Sequence, residues 1–452
     1  MTEQTEMRPS WEELAELVAG GSRAAVRRFV AELDPVETVR AVSHLREDDR
    51  CQLLALLRPA DAAEVIERIP EVQACEALEG LAPRRAARIL AELPSDEKAD
   101  LIADIEDQEA EAILAAMPQS EAQELRELAA YPEDSAGGLM VTEYVQVPVG
   151  QTVREALDAL SQRAEEYSSY DVQYAYVHDG EGRLVGVLRL RDLLLAPRWK
   201  PIDEIMIGAP FSVRVDAPLE ELVRFFEEHH FLGVPVVNAD GVLVGVLGKA
   251  AVRAEVADRS DETYRQSQGI VGGEELRSMP VFLRSRRRLS WLSVNIGLNV
   301  LAASVIAVYQ DTLQAVIALA VFLPIISDMS GCSGSQAVAV SLRELTLGVT
   351  RPTDVLRVLV LELRVGLLNG AALGALIGLV AWAWKGDPRL GLVVGVALAI
   401  NTSVAVCIGG MVPLVLKRLN RDPALASGPI LTTVTDMCGF FLVLSLATVV
   451  LI

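Results

Sequence analysis

Histidine is scarce in this 452-residue chain: only His44, His178, His229 and His230 occur, and none lies beyond residue 230. Imidazole and thiolate suit zinc, copper and nickel, so the C-terminal part offers little to soft metals. The five cysteines, Cys51, Cys75, Cys332, Cys407 and Cys438, form no Cys-x-x-Cys pair, which excludes a zinc ribbon and a disulfide framework and fits a reduced compartment. Basic residues are outnumbered, 41 against 62 acids, leaving a net charge of −21. Phosphate backbones demand clustered Lys and Arg, so nucleic acid is not expected as a partner. No basic and apolar leader opens the chain, and residues 1–283 are expected to stay cytoplasmic. No nucleophile–base pair, phosphate loop or metalloprotease helix is present, so no enzymatic function is expected.

The charge that is present is unevenly divided. Residues 1–283 hold 54 acids and 28 bases, a net of −26, whereas residues 284–452 hold 8 acids and 13 bases, a net of +5. The acidic half either carries a solvated surface or attracts cations as counter-ions. The other half contains five apolar stretches long enough to span a bilayer, near 289–307, 314–340, 355–384, 391–416 and 429–452. The Arg284–Arg288 cluster, Arg343 and Arg351, and Lys417, Arg418 and Arg421 mark three segments as cytoplasmic, so the N-terminus is expected inside and the C-terminus outside.

Asp436 stands within the last of these stretches with no Lys, Arg or His beside it. An acid at mid-bilayer costs roughly 2.5–3.5 kcal/mol even on lenient scales, so it faces a protein interior or a watery path. The second stretch, ALAVFLPIISDMSGCSGSQAVAV, holds Pro324, Asp328 and the run Ser330–Gln336. Two readings are open: a broken helix lining a path with freed carbonyls and hydroxyls, or close packing through small residues. Asp436, Asp328, Thr432, Thr433, Thr435, Ser333, Gln336, Asn369 and Asn401 make oxygen the abundant donor, and oxygen suits a hard divalent cation such as Mg2+. Cys332 is the single soft donor in that run, either a ligand or a packing residue.

In the acidic half, Pro59, Pro70, Pro83, Pro94 and Pro118 punctuate short amphipathic segments at about 12-residue intervals, which predicts a stacked helical superhelix with a proline opening each helix. Downstream, Gly182-Arg-Leu-Val-Gly-Val-Leu188 recurs as Gly241-Val-Leu-Val-Gly-Val-Leu247. Each copy follows a strand, 172–178 and 233–238, and precedes a helix, and Met140 and Met206 open the two copies. This pattern resembles tandem CBS modules. Their nucleotide-binding pattern has a hydroxyl three residues before an Asp; here Arg189 precedes Asp192, and Gly248 and Ala251 fill both positions of the second copy. An adenine nucleotide such as ATP and a purely dimerising scaffold both remain open.

The order of superhelix, Tyr131–Met140 (YPEDSAGGLM), CBS pair, connector and five spans resembles the MgtE-type magnesium channel and transporter family. DPALASGP (Asp422–Pro429) and TDMCG (Thr435–Gly439) are its most specific membrane motifs. The resemblance implies a homodimer in the lipid bilayer with the pore between subunits, Asp436 of each at the ion site, and gating by Mg2+ held among cytoplasmic acids. Candidate acids for the pore are Asp436, Asp328 and Asp422. For the gate they are Asp96 and Asp100 of the superhelix, with Glu97 beside them, Asp216 of the second CBS module, and Glu255, Asp258, Asp261 and Glu262 of the connector. Ser330–Gln336 departs from the family's Gly-Gly-Asn-x-Gly-x-Gln, placing Cys332 where an Asn is usual.

The expected architecture is multi-domain: an all-α superhelical N domain (1–130), an α/β tandem CBS domain (131–197 and 198–260), an amphipathic connecting helix (261–288) and an all-α five-helix transmembrane domain (289–452). The expected function is Mg2+ uptake across the cytoplasmic membrane, with Mg2+ both transported and regulatory. Transport of Co2+ or Mn2+, and a membrane-anchored CBS sensor that transports nothing, are the alternatives.

Overall fold

A computed structural model describes residues 9–167, 170, 173–270, 275–277 and 279–452. The chain divides into two compact units, Met1–Asp258 and Arg259–Ile452.

The first unit opens with ten short helices: α1 (Ser10–Ala19), α2 (Arg23–Glu32), α3 (Pro35–Ser43), α4 (Glu47–Leu56), α5 (Pro59–Ile66), α6 (Glu71–Glu79), α7 (Pro83–Leu90), α8 (Ser95–Asp104), α9 (Asp107–Leu114) and α10 (Gln119–Leu128). Proline starts them as the sequence suggested, in two alternating ways. Pro35, Pro59 and Pro83 occupy the first turn of α3, α5 and α7, while Pro70, Pro94 and Pro118 sit one residue ahead of α6, α8 and α10. Neither position needs an amide proton from proline. The long gap between Pro94 and Pro118 is filled by α9, which starts after Glu106 without a proline. From α4 onward each helix packs on the one two places along, α4 on α6, α5 on α7, and so on to α8 on α10. Two interleaved rows thereby bury one continuous core, including Leu53, Leu78, Ile89 and Leu90.

The CBS pair follows, as β1 (Val145–Pro148), α11 (Val153–Gln162), α12 (Ala164–Tyr167), β2 (Tyr174–His178), β3 (Leu184–Arg189), α13 (Leu190–Leu195), β4 (Ile207–Gly208), β5 (Val213–Arg214), α14 (Leu219–Glu228), β6 (Gly233–Val237), β7 (Leu243–Gly248) and α15 (Lys249–Ser267). Val172, expected in the first strand, lies outside the described residues. One sheet runs β1-β2-β3-β4 and the other β5-β6-β7. The repeated phrases are β3 and β7, and Gly182 (φ 80°) and Gly241 (φ 78°) supply the left-handed turns before them. The repeats also exchange edges. β4, at the start of the second copy, pairs with β3 of the first, and Val141, at the start of the first, pairs with Val246 of β7. The sulfur of Met206 covers Gly186 and that of Met140 covers Gly245, so each opening methionine caps the other copy's strand. Ser95 joins superhelix to CBS pair: buried, it donates to Glu143 (2.7 Å) and accepts from the Thr142 amide (2.7 Å).

The second unit contains the end of α15 and α16 (Val281–Val308), α17 (Gln310–Ala315), α18 (Leu323–Thr346), α19 (Val355–Lys385), α20 (Pro388–Arg418) and α21 (Pro423–Val450). Among the described residues, five helical stretches are long and apolar enough to cross a membrane. Residues 261–288 are not a single connecting helix. They are divided between the end of α15, a left-handed turn at Gly269 (φ 77°) and the start of α16; the expected bend also covered residues 271–273, which lie outside the described residues.

α20 is the buried centre, contacting α18, α19 and α21. Small residues permit this: a Cβ on Gly374 or Gly378 would fall 2.5 or 2.9 Å from the Gly395 or Gly391 carbonyl, and one on Gly409 would fall 2.2 Å from that of Gly334. The expected break of the second span falls ahead of Pro324, where a 3-10 stretch, Ile317–Val321, separates α17 from α18, and not at the run of small residues. α18 runs unbroken through Ser330–Gln336, because Pro324 lies in its first turn, where no helical hydrogen bond is lost. The prolines inside helices are Pro413 in α20 and Pro429 in α21. Gly409→Leu is expected to lower the melting temperature in detergent by forcing α18 from α20, an overpacking cost of about 1–3 kcal/mol. Gly297→Ala on α16, where an added Cβ meets nothing within 4 Å, is the matched control and should melt as wild type.

Candidate functional site

Asp436 lies in α21 at 8% exposure, and Ser327 Oγ of α18 donates a short hydrogen bond to its Oδ1. On the adjacent turn, Asn401 of α20, fully buried, donates through Nδ2 to the Thr435 carbonyl at 3.1 Å. Gly439 makes that approach possible, since a Cβ there would lie 2.7 Å from Asn401 Nδ2. The Thr-Asp-x-x-Gly phrase therefore has a packing logic: the Thr carbonyl anchors Asn401, the Gly admits it, and the Asp turns toward α18. Among the described residues, the buried Asn401 Oδ1, Thr402 Oγ1 and Ser330 Oγ have no hydrogen-bond partner. Among the described residues no cationic side chain forms an ion pair with Asp436, and its carboxylate accepts from the one hydroxyl of Ser327.

Asp328 is not part of this cluster. It follows Ser327 on α18 and is exposed, as are Cys332, Ser335 and Gln336 at roughly one- and two-turn intervals. These four make a polar stripe on a helix otherwise apolar enough to span a membrane. Asp422 acts as a cap, its Oδ1 accepting from the Ala424 amide at 2.8 Å and starting α21. Ser327 was not singled out in the sequence; a partner 109 residues away on another helix leaves no spacing signal. Neither was Glu362, whose Cγ packs over Gly410.

In the first unit, Asp96, Glu97 and Asp100 are half-buried on α8. Burial, then Glu67 and Asp96, push the Glu97 carboxyl up to about 7. Burial, then Glu71, Asp96, Glu133 and Glu255, push Asp100 up to about 8. Asp96 is raised chiefly by burial. The fold thus brings the expected acids Asp96, Asp100 and Glu255 into mutual repulsion, together with Glu67, Glu71 and Glu133, which lie on other helices and loops and gave no common motif. The remaining candidates fall elsewhere. Asp216 is exposed and held by Arg214 at 2.8 Å, which lowers its carboxyl. Asp258, Asp261 and Glu262 are exposed on α15, and Glu262 accepts from Gln266 at 2.9 Å. Among the described residues no three acidic, His or Cys side chains converge closely enough to hold a metal ion.

Near the start of α16, Glu275 accepts from Arg284 (3.3 Å) and Arg288, and its side chain is 2% exposed. Trp291 packs directly over Gly269. These contacts tie the end of α15 to the first spanning helix.

Residues 323–446 match a family described as a divalent cation transporter, MgtE; residues 33–134 match the MgtE intracellular N domain; and residues 136–198 and 202–258 match CBS domains. The chain is 33% identical to the magnesium transporter MgtE of Bacillus subtilis over 71% of its length and 70% of that protein. It is 36% identical to the magnesium transporter MgtE of Thermus thermophilus over 73% of its length and 72% of that protein. A solved structure described as the cytosolic domain of the Mg2+ channel MgtE in complex with ATP is 35% identical, covering 54% of this chain and 99% of that one, with a TM-score of 0.49. With relatives at least 33% identical over seven-tenths of both chains, and with family matches to the membrane unit, the helical domain and the CBS pair, the chain belongs to the MgtE family of divalent cation transporters.

Proposed function

We propose that this chain takes up Mg2+ across the cytoplasmic membrane, through a pore between two copies, and that Mg2+ bound to the acidic half closes it. The observation carrying the pore is the exposed stripe Asp328, Cys332, Ser335 and Gln336 on α18, the helix whose Ser327 bonds Asp436. A carboxylate turned to lipid is costly, so such a stripe calls for a second protein surface or a watery path. A two-fold pair answers both needs with one surface. Mg2+ keeps its octahedral waters tightly, and carboxylate, hydroxyl and amide oxygens suit recognition through that shell. The clustering of arginines and Lys417 at three loops supports an N-terminus inside and a C-terminus outside.

Gating follows from the first unit's repulsion. Asp96, Glu97 and Asp100 are costly to ionise as a group, and a divalent cation relieves them as a proton would. Cation binding that differs between two arrangements shifts the balance between them. Transport of Co2+ or Mn2+ is the second reading, favoured by the exposed thiol of Cys332 one turn from Asp328. The CBS pair receives no assigned nucleotide in this proposal: Asp192 is engaged by Arg191 at 3.3 Å, and Gly248 and Ala251 offer neither hydroxyl nor carboxylate.

In liposomes, Asp436→Ala should abolish Mg2+ flux while the dimer survives; wild-type flux from this variant would remove Asp436 from the pore. Ser327→Ala should lower flux about tenfold, equivalent to the ~1.5 kcal/mol of a hydrogen bond to a charged group. Cys332→Asn should leave Mg2+ flux in place and reduce any Co2+ flux, which sets the second reading against the first.

The gate carries a pH signature. Glu97 and Asp100 titrate near 7 and 8 in the folded protein, above their ordinary values, so the native state binds extra protons between about pH 4 and 8. Stability from this pair is present at low pH and is lost as pH rises through that window. In EDTA the melting temperature of the first unit should fall from pH 5 to pH 8, and millimolar Mg2+ should flatten the decline. A profile that rises, or that ignores Mg2+, contradicts the gate.

A further inference from the structure

The acidic half contains one place where the charge is reversed. Between α2 and α5 lies a cavity of about 560 Å3, within the range of small-ligand sites. Its rim carries Arg27 and Arg28 from α2, Arg58 just ahead of α5 and Arg68 just beyond it, with Asp61 and Glu64 as the only acids among its lining residues. Asp61 is shared: Arg58 Nη2 reaches it at 2.7 Å and Arg27 Nε at 3.2 Å, and the two guanidiniums hold its carboxyl below the usual range. Glu64 pairs with Arg68 at 2.5 Å. Four cations thus face two anions, and Arg28, exposed, has no hydrogen bond or ion pair among the described residues.

The positive charge extends past the cavity. Leu57 lines it, and the Leu57 carbonyl accepts from Arg85 of α7, which also donates to the Leu54 carbonyl at 2.9 Å. Arg23 and Arg88 lie close enough to Arg85 to repel it and, after burial, hold its guanidinium below the ordinary value. Neither Arg23 nor Arg88 has an ion-pair partner among the described residues. In a half with twice as many acids as bases, cations left unpaired around a cavity floored by Val30, Leu33, Leu57 and Val65 are not there to pair with this chain's own surface.

We propose that the α2–α5 cavity is an anion site for a phosphate-bearing small molecule, with Arg28 and Arg27 as the arms that take the phosphate and the apolar floor receiving its non-ionic part. Guanidinium groups bind phosphate oxygens in forked pairs, which a point-charge cation cannot do. Arg58 and Arg27 hold Asp61 in the unliganded form, so the cradle keeps its shape when empty. A soluble phosphate ester and a phospholipid headgroup present the same chemistry.

The test uses the full chain in phosphatidylcholine nanodiscs with EDTA present, so that chelation of Mg2+ cannot be the readout. It is titrated calorimetrically with inorganic pyrophosphate and, separately, with dihexanoyl phosphatidylglycerol below its micelle concentration. Saturable binding of pyrophosphate, weakened about tenfold or more by Arg28→Ala and by Ala24→Glu, supports a soluble phosphate ligand; Ala24 lines the same cavity and adds a repelling charge without removing any arginine. Saturable binding of the lipid alone, with the same sensitivity, supports a headgroup site. Wild-type protein that binds neither probe at millimolar concentration, or binding that both variants leave unchanged, overturns the proposal. Mg2+ flux is measured beside each variant and should stay at the wild-type level, which keeps this site separable from the pore.

Discussion

The constraint on which the membrane unit depends is the cost of an ionised carboxylate among hydrocarbon. Asp436 could be matched by a Lys or Arg, and an ion pair would settle its charge permanently. Instead the fold supplies one hydroxyl from Ser327, while the adjoining helices bury the unpartnered oxygens of Asn401, Thr402 and Ser330. A hydroxyl orients a carboxylate and leaves its charge intact. The glycines serve the same end. Gly439 lets Asn401 reach the backbone of α21, and Gly334 and Gly409 bring α18 against α20, so the three helices that carry these oxygens pack backbone to backbone.

The same electrostatic problem recurs in the soluble unit in a different form. Asp96, Glu97 and Asp100 are half-buried near Glu67, Glu71, Glu133 and Glu255, with burial the largest contribution to each upward shift. Repulsion among acids on separate helices stores free energy that a bound cation or proton releases, and it is sensitive to how closely the helices sit. Where arginine reaches an exposed or partly exposed acid the shift reverses: Asp216 with Arg214, and Asp61 between Arg58 and Arg27, are both lowered. Burial decides the sign where the two compete, since Glu76 stays raised although Arg50 pairs with it at 2.6 Å.

Much of this was legible in the sequence. Proline has one tolerable place in a helix, so the intervals of Pro59, Pro70 and Pro83 marked helix starts. The repeated Gly-x-Leu-Val-Gly-Val-Leu marked equivalent strands because glycine at a left-handed turn and alternating apolar residues leave few alternatives. The exchange of Met140 and Met206 between copies was not legible, since a repeat fixes what is equivalent and not which copy completes which sheet. The second span breaks at Ile317–Val321 and not at Ser330–Gln336, where small-residue packing holds, and the reason is physical. Glycine and serine weaken a helix in water, yet in an apolar setting the backbone has no better partner than itself, and small side chains then serve close packing.

That packing also explains where the irregular backbone went. A proline inside a helix leaves the carbonyl four residues earlier without its amide, and Pro413 in α20 and Pro429 in α21 do so on the two helices that hold Asn401 and Asp436. Pro429 and Asp436 are seven residues apart, close to two turns, and so lie on nearly one face of α21. A carbonyl released by Pro429 therefore falls along the line that the carboxylate marks, and Thr432, exposed between them, adds a hydroxyl nearby. The carbonyl of Leu425, the Thr432 hydroxyl and the Asp436 carboxylate thus put oxygen along one face of α21, and it is the geometry of that helix, not an opening of α18 at its small residues, that lines them up.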